Sequence, residues 1–135
     1  MGLDNGFMAK RTGVARIDKR LNRLSSWTSI DRGEEEIAYW RKCWNVRKVI
    51  LNILSDTGEN TEQYEFLVDY VDVFIIAREL AKFNKKTWEC DIWHGSIWDW
   101  EEIKHSHRRN VRRLRRLARL MRRHPEIEVY FYDSY

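Results

Sequence analysis

The chain has 135 residues, with 25 Lys and Arg against 21 Asp and Glu and a formal net charge of +4 at pH 7. That length suits one domain with a real core, and six Gly, one Pro and 43% hydrophobic residues do not fit a disordered chain. The apolar runs fall far short of a membrane span, and the start, MGLDNGFMAKR, lacks the basic-then-apolar order of a secretory signal.

In chain order, residues 1–10 read as a short extended segment, with Leu3, Phe7 and Met8 as its apolar members and Gly6 as a bend. Residues 11–33 are polar and basic and read as a long connection, with at most a helical turn between Arg16 and Leu24. The first main helix is expected over 34–54. Glu34, Glu35 and Glu36 suit the positive end of its dipole, and Ile37, Trp40, Trp44, Leu51 and Leu54 follow three-and-four spacing. Gly58 lies in the stretch that ends it.

A second helix is expected over 64–83, carried by Val73, Ile76, Ala77 and Leu80; its front end, Tyr64 to Val68, fits a helical turn or a short strand. Residues 84–91 read as loop. The third helix is expected over 97–123, where Ser96 followed by Asp99 resembles a capping box and Pro125 supplies the stop. Residues 128–133 are aromatic and β-branched, and read as a strand. The expectation is a single α+β domain, 1–135, with three main helices and a small sheet formed by the N-terminal and C-terminal strands.

The third helix carries the strongest functional signal. Nine arginines fall between Arg108 and Arg123 with no acid among them. At 100° per residue they take about half the circumference, and Val111, Leu114, Leu117, Ala118 and Met121 take the other side. Arg108, Arg112, Arg115, Arg119 and Arg122 form one stripe about 21 Å long, and Arg116 and Arg123 lie beside it. Residues 104–124 hold ten of the 25 basic residues and none of the acids, which leaves the rest of the chain at −6. A solvated face normally mixes signs at i and i+4, so this one is expected to meet an anion: an acidic protein surface, a nucleic acid or a phosphorylated nucleotide. The acidic body of a second copy is a further option, which leaves a homo-oligomer open. Leu120, a lone apolar residue among the arginines, slightly favours a protein interface.

Trp88, Trp93, Trp98 and Trp100 form an aromatic cluster. Stacking of bases on Trp93, Trp98 and Trp100 is one reading; pinning of a loop to the core is the favoured one. Cys43 and Cys90 read as buried thiols, with a disulfide left open. His107 falls on the apolar arc of the third helix and reads as a core or interface histidine. No metal, cofactor or catalytic spacing is present, so neither a metal, a cofactor nor a catalytic residue is expected.

Three pieces are similar to a known pattern. They are Met1-Gly2-Leu3-Asp4 leading to Lys10-Arg11; Tyr39-Trp40-Arg41-Lys42, preceded by Glu35-Glu36-Ile37-Ala38; and Tyr130-Phe131-Tyr132-Asp133-Ser134-Tyr135. In that order they resemble a family of small phage and prophage proteins that begin Met-Gly-Leu-Asp and have no established activity. Relatives of that pattern have a longer aromatic and glycine-rich stretch where this chain has Trp93 to Trp100, and they lack so dense an arginine face. The resemblance implies a phage setting. With no catalytic signature, the expected role is that of a non-enzymatic inhibitor of a host process, such as a bacterial defence system. It would act in the host cytoplasm and away from membranes. Three modes stay open: occupying a nucleic-acid site on a defence complex, binding nucleic acid directly, or sequestering a signalling nucleotide as an oligomeric sponge.

Overall fold

Residues 3–55, 65–89 and 98–134 are described by the computed structural model, and they contain five strands and five helices. Strand β1 (Asp4–Lys10) is the centre of an antiparallel sheet. On one side it pairs with β3 (Glu34–Arg41), which in turn pairs with β2 (Trp27–Ser29). On the other it pairs with β5 (Val129–Ser134), followed by the edge strand β4 (Glu65–Val68). The domain is α+β, and the N-terminal and C-terminal strands do pair. Helices α1 (Ala15–Leu24), α2 (Trp44–Ser55), α3 (Tyr70–Leu80), the short α4 (Lys85–Glu89) and α5 (Trp100–Arg123) supply the rest of the core.

Several boundaries differ from the sequence reading, each for a local reason. The helix expected over 34–54 is a strand followed by a helix that starts at Trp44. A bulge in β3 explains the misleading spacing. Phe7 pairs with Ala38 and Met8 with Glu36, so Ile37 is an extra residue, and Ile37, Ala38 and Trp40 are all buried. The bulge breaks the period of two and imitates helical spacing. Glu34, Glu35 and Glu36 do not feed a helix dipole; they alternate across the sheet. Tyr130 donates to Glu34 (2.5 Å) and Tyr132 to Glu36 (3.1 Å) on one face. On the other, Glu35 takes Arg11 at 3.0 Å and Thr28 at 2.6 Å. Burial opposes the Glu35 charge, but hydrogen bonds from Thr28, Ser25, Arg11 and Asn22 prevail and hold its carboxyl below the ordinary range.

The helix expected over 64–83 begins at Tyr70, behind a capping box in which Asp69 accepts from the Asp72 amide and the Asp72 side chain accepts from the Asp69 amide. Residues 65–68 are strand. The third helix starts at Trp100, with Asp99 and Glu102 forming the capping box; Ser96 lies outside the described residues. Residues 11–33 contain a full helix, α1, and strand β2, where a connection was expected, and α4 replaces part of the expected loop. Gly6 is not a bend. It sits mid-strand, where a Cβ would collide with the Ala38 carbonyl oxygen and the Tyr132 ring, so close strand approach demands glycine.

Phe7, Ala9, Ala38, Trp40, Phe66, Val68, Val129 and Phe131 face the helices and form one core with Ile17, Leu21, Ile50, Ile76, Leu114 and Leu117. Within it the Arg47 Nε–H is shared between the two carboxylate oxygens of Asp133 at 2.9–3.0 Å, and the Asn5 side-chain amide donates to Asp133 at 3.4 Å. The opposite sheet face carries Trp27, Glu34, Glu36, Glu65, Tyr130 and Tyr132 around a cavity of about 400 Å³.

Candidate anion-binding surface

Helix α5 packs Val111, Leu114, Leu117, Ala118 and Met121 inward, and this drives every arginine outward. Arg108, Arg109, Arg112, Arg115, Arg116, Arg119, Arg122 and Arg123 are exposed and Arg113 is half-buried. Glu101 and Glu102 occupy its first turn and Arg122 and Arg123 its last, the arrangement that the helix dipole favours. Among the described residues, none of the nine arginines has a carboxylate in salt-bridge range. Crowding shows at Arg113, whose guanidinium is held below its usual pKa by burial first and then by Arg109 and Arg112.

The sequence reading missed the second half of this surface. In α1, Ile17, Leu21 and Leu24 are buried, at i, i+4 and i+7, and Arg16, Arg20 and Arg23 repeat the same spacing on the exposed side. Asp18 fastens the start of α1 by accepting from the Thr12 and Gly13 amides and the Thr12 hydroxyl (2.8–3.0 Å). The i, i+4, i+7 pattern was the available signal, in a helix of only ten residues.

α1 lies against α5, and the two helices form a groove of about 400 Å³ walled by Arg20, Arg23, Arg116, Arg119 and Arg123, with Leu24 and Leu120 also lining it. A second cavity of about 320 Å³ continues it: Arg20 and Arg123 line both, and Arg16, Ile17 and His124 complete the extension. No described acidic residue lines either cavity. Leu120 is therefore not a lone exposed leucine; it is half-buried, packed against the core and part of the groove.

The other expected arginines divide. Arg108, Arg112 and Arg115 line a separate cleft of about 500 Å³ on the α3 side, with Ala81, Phe83, Trp100 and Val111. Arg122 leaves the stripe. It lines a groove that also holds Asp69, Asp72, Glu126 and Glu128, an acidic neighbourhood unlike the other two.

Of the aromatic candidates, Trp93 lies outside the described residues. Trp98 is about a third exposed, and its indole N–H donates to the Arg41 carbonyl at 2.8 Å. Trp100 is 5% exposed, in ring contact with Trp88 and His107, and the Arg108 guanidinium sits 5.6 Å from its ring centroid. The indoles of Trp88 and Trp40 are buried too. Trp88 donates to the Trp98 carbonyl at 2.9 Å and Trp40 to His107 Nδ1 at 3.1 Å. His107 Nε2 meets the Leu80 carbonyl at 2.9 Å, so it carries the proton and the ring is neutral. Burial is the main force that holds the His107 pKa below its ordinary value, and Arg108 adds to it.

Cys43 is fully buried, its thiol donating to the Arg41 carbonyl at 3.3 Å; Cys90 lies outside the described residues. Among the described residues no three His, Cys, Asp or Glu cluster as metal ligands would, and no helix is long and apolar enough to cross a membrane. Comparison with known families, with curated proteins and with solved structures finds no match.

Proposed function

We propose that the protein is a non-catalytic binding protein that grips the phosphate backbone of a nucleic acid along the α1/α5 groove. One observation carries this reading: Arg16, Arg20, Arg23, Arg116, Arg119 and Arg123, from two helices, line one continuous groove in which no described carboxylate offers them a partner. Like charges one helical turn apart repel by a few tenths of a kcal/mol per pair, a cost that phosphates relieve on binding. Guanidinium suits the task because its planar fork takes two phosphate oxygens at once. Along α5, Arg116, Arg119 and Arg123 advance by about 4.5 and 6 Å, so that wall of the groove presents one guanidinium per helical turn.

Leu120, half-buried in the groove, offers no separate apolar contact among the arginines, so its slight support for a protein interface falls away. The resemblance to the phage family supports the setting: by holding nucleic acid, the protein inhibits a host process in the bacterial cytoplasm, with a defence system as the target. The test is binding of a short oligonucleotide across a salt series. Affinity should fall with a log–log slope of several units, and Arg20→Ala, Arg116→Ala and Arg119→Ala should each reduce that slope by about one. Salt-insensitive binding, or no binding at low salt, overturns the reading. Thermal stabilisation by mononucleotides without oligonucleotide binding would replace it with nucleotide sequestration.

A further inference from the structure

We infer that the nucleic acid this protein holds is a B-form DNA duplex, with α5 in its major groove and one strand's backbone against each flank of the helix, an inference that rests on the α1/α5 groove being a phosphate site. The second strand is called for by the other side of α5. There a cleft of about 500 Å³ is walled by Arg108, Arg112 and Arg115, and Phe83, Trp100 and Val111 also line it. No described carboxylate lines this cleft, and none lines the α1/α5 groove.

Helix geometry puts the two clefts on opposite flanks of α5. Val111 lines the cleft on the α3 side and Leu120 the groove on the α1 side, and nine steps of about 100° set them about 180° apart around the axis. The arc between them is filled with exposed arginines. Arg108 and Arg115 lie towards α3, Arg116 and Arg123 towards α1, and Arg112 and Arg119 within about 10° of the middle. α5 is therefore a ridge with guanidinium groups down both flanks and along its crest. The clefts are also staggered, one at 108–115 and the other at 116–123, so the pair crosses the ridge obliquely over about 22 Å.

A ridge of this kind suits a duplex better than a single strand. An α-helix with its side chains is about 10–12 Å across, and the B-form major groove is about 12 Å wide, with a phosphate backbone along each wall. With α5 in that groove, its two flanks meet the two backbones. α1, set beside α5, then passes over one of them and adds Arg16, Arg20 and Arg23. A single strand fills one cleft and leaves the other without an anion. An RNA duplex has a deep, narrow major groove that does not admit the helix, so it too meets one side only. The rings in the α3-side cleft are engaged within the protein and are not a platform for unpaired bases. Trp100 is 5% exposed with the Arg108 guanidinium 5.6 Å from its ring centroid, and Phe83 is in edge contact with Trp88 and His107.

The test is binding at low salt to three oligonucleotides of one sequence: single-stranded DNA, the DNA duplex and the RNA duplex. Wild type should bind the DNA duplex about tenfold or more tighter than either of the others. The combined Arg108→Ala, Arg112→Ala and Arg115→Ala variant should keep its melting temperature. Its salt slope on the DNA duplex should fall by about two to three units, and the preference for duplex over single strand should shrink with it. In the wild-type complex guanine N7, which lies in the major groove, should be protected from methylation. Equal affinity for single strand and duplex, or for the DNA and RNA duplexes, overturns the inference and leaves the phosphate-gripping groove standing. Full duplex binding by the triple variant, or an unprotected N7, does the same. Binding to none of the three at low salt overturns both.

Discussion

Two regions a few residues apart on α5 treat their polar groups in opposite ways. At its N-terminal half, His107 is buried among Trp40, Phe83, Trp88 and Trp100, and both ring nitrogens have a partner, one the Trp40 indole and the other the Leu80 carbonyl. From Arg108 onward the other face presents guanidinium groups with no described carboxylate partner. The first region is closed on itself, because an unpaired polar group costs most where water is excluded. The second is open, because water keeps the self-repulsion small until a ligand arrives. Substitutions in the two regions should therefore have opposite signatures.

The largest separation is expected from paired experiments. His107→Leu leaves the Trp40 N–H without a partner and the Leu80 carbonyl with the Phe83 amide alone, and should lower stability by about 2–3 kcal/mol in chemical denaturation, while the protein that remains folded binds oligonucleotide normally. Conversely, the combined Arg20→Glu, Arg116→Glu and Arg119→Glu variant should lose roughly a hundredfold or more in oligonucleotide affinity at low salt, about 3 kcal/mol. Its melting temperature should not fall, since removing like-charge crowding favours the fold. A variant that lost both would show the surface to be part of the scaffold, and would end the comparison.

Gly6→Ala comes next. The added Cβ meets the Ala38 carbonyl, which is backbone and cannot move aside, so β1 and β3 must part at a cost of about 2 kcal/mol. Denaturant midpoints measure it, and the salt dependence of binding should be untouched.

The smallest effect is a pH dependence that belongs to the closed region alone. His107 is held neutral in the fold, with its pKa below the usual 6.5. Below pH 6.5 the unfolded chain takes up a proton that the folded chain refuses. Stability is thus fully present above that pH and is lost as pH falls towards the folded pKa, by up to about 1.4 kcal/mol per pH unit. Melting temperature measured between pH 7.5 and 5 should decline through this window in wild type and stay flatter in His107→Leu.

Much of α5 was legible in advance, because a long amphipathic helix declares its faces by period alone: the buried set Val111, Leu114, Leu117, Ala118 and Met121 is the one expected. The core placement of His107 was legible for the same reason, and the structural reading of Trp88 and Trp100 from the area of an indole ring and the partner its buried N–H requires. β3 was not, since its bulge disguised a strand as a helix and its three glutamates looked like a dipole cap until Tyr130 and Tyr132 were seen to hold two of them. Arg16, Arg20 and Arg23 were overlooked because a ten-residue helix carries few periods. Their importance lies in what stands opposite them, and that is a matter of packing.

The sequence by itself determined that one helix would have a buried half and an arginine half, and that segments near both chain ends would be extended, because side-chain periodicity and burial are local properties. Only the tertiary structure decided that the arginine surface is a groove and not a stripe. It set α1 against α5, moved Leu120 from the surface to the groove, and sent Arg122 into acidic company. It also left Tyr70, Val71 and Phe74 of α3 exposed. Those outcomes depend on which helix lies beside which, and contacts between residues a hundred positions apart leave no period in the chain.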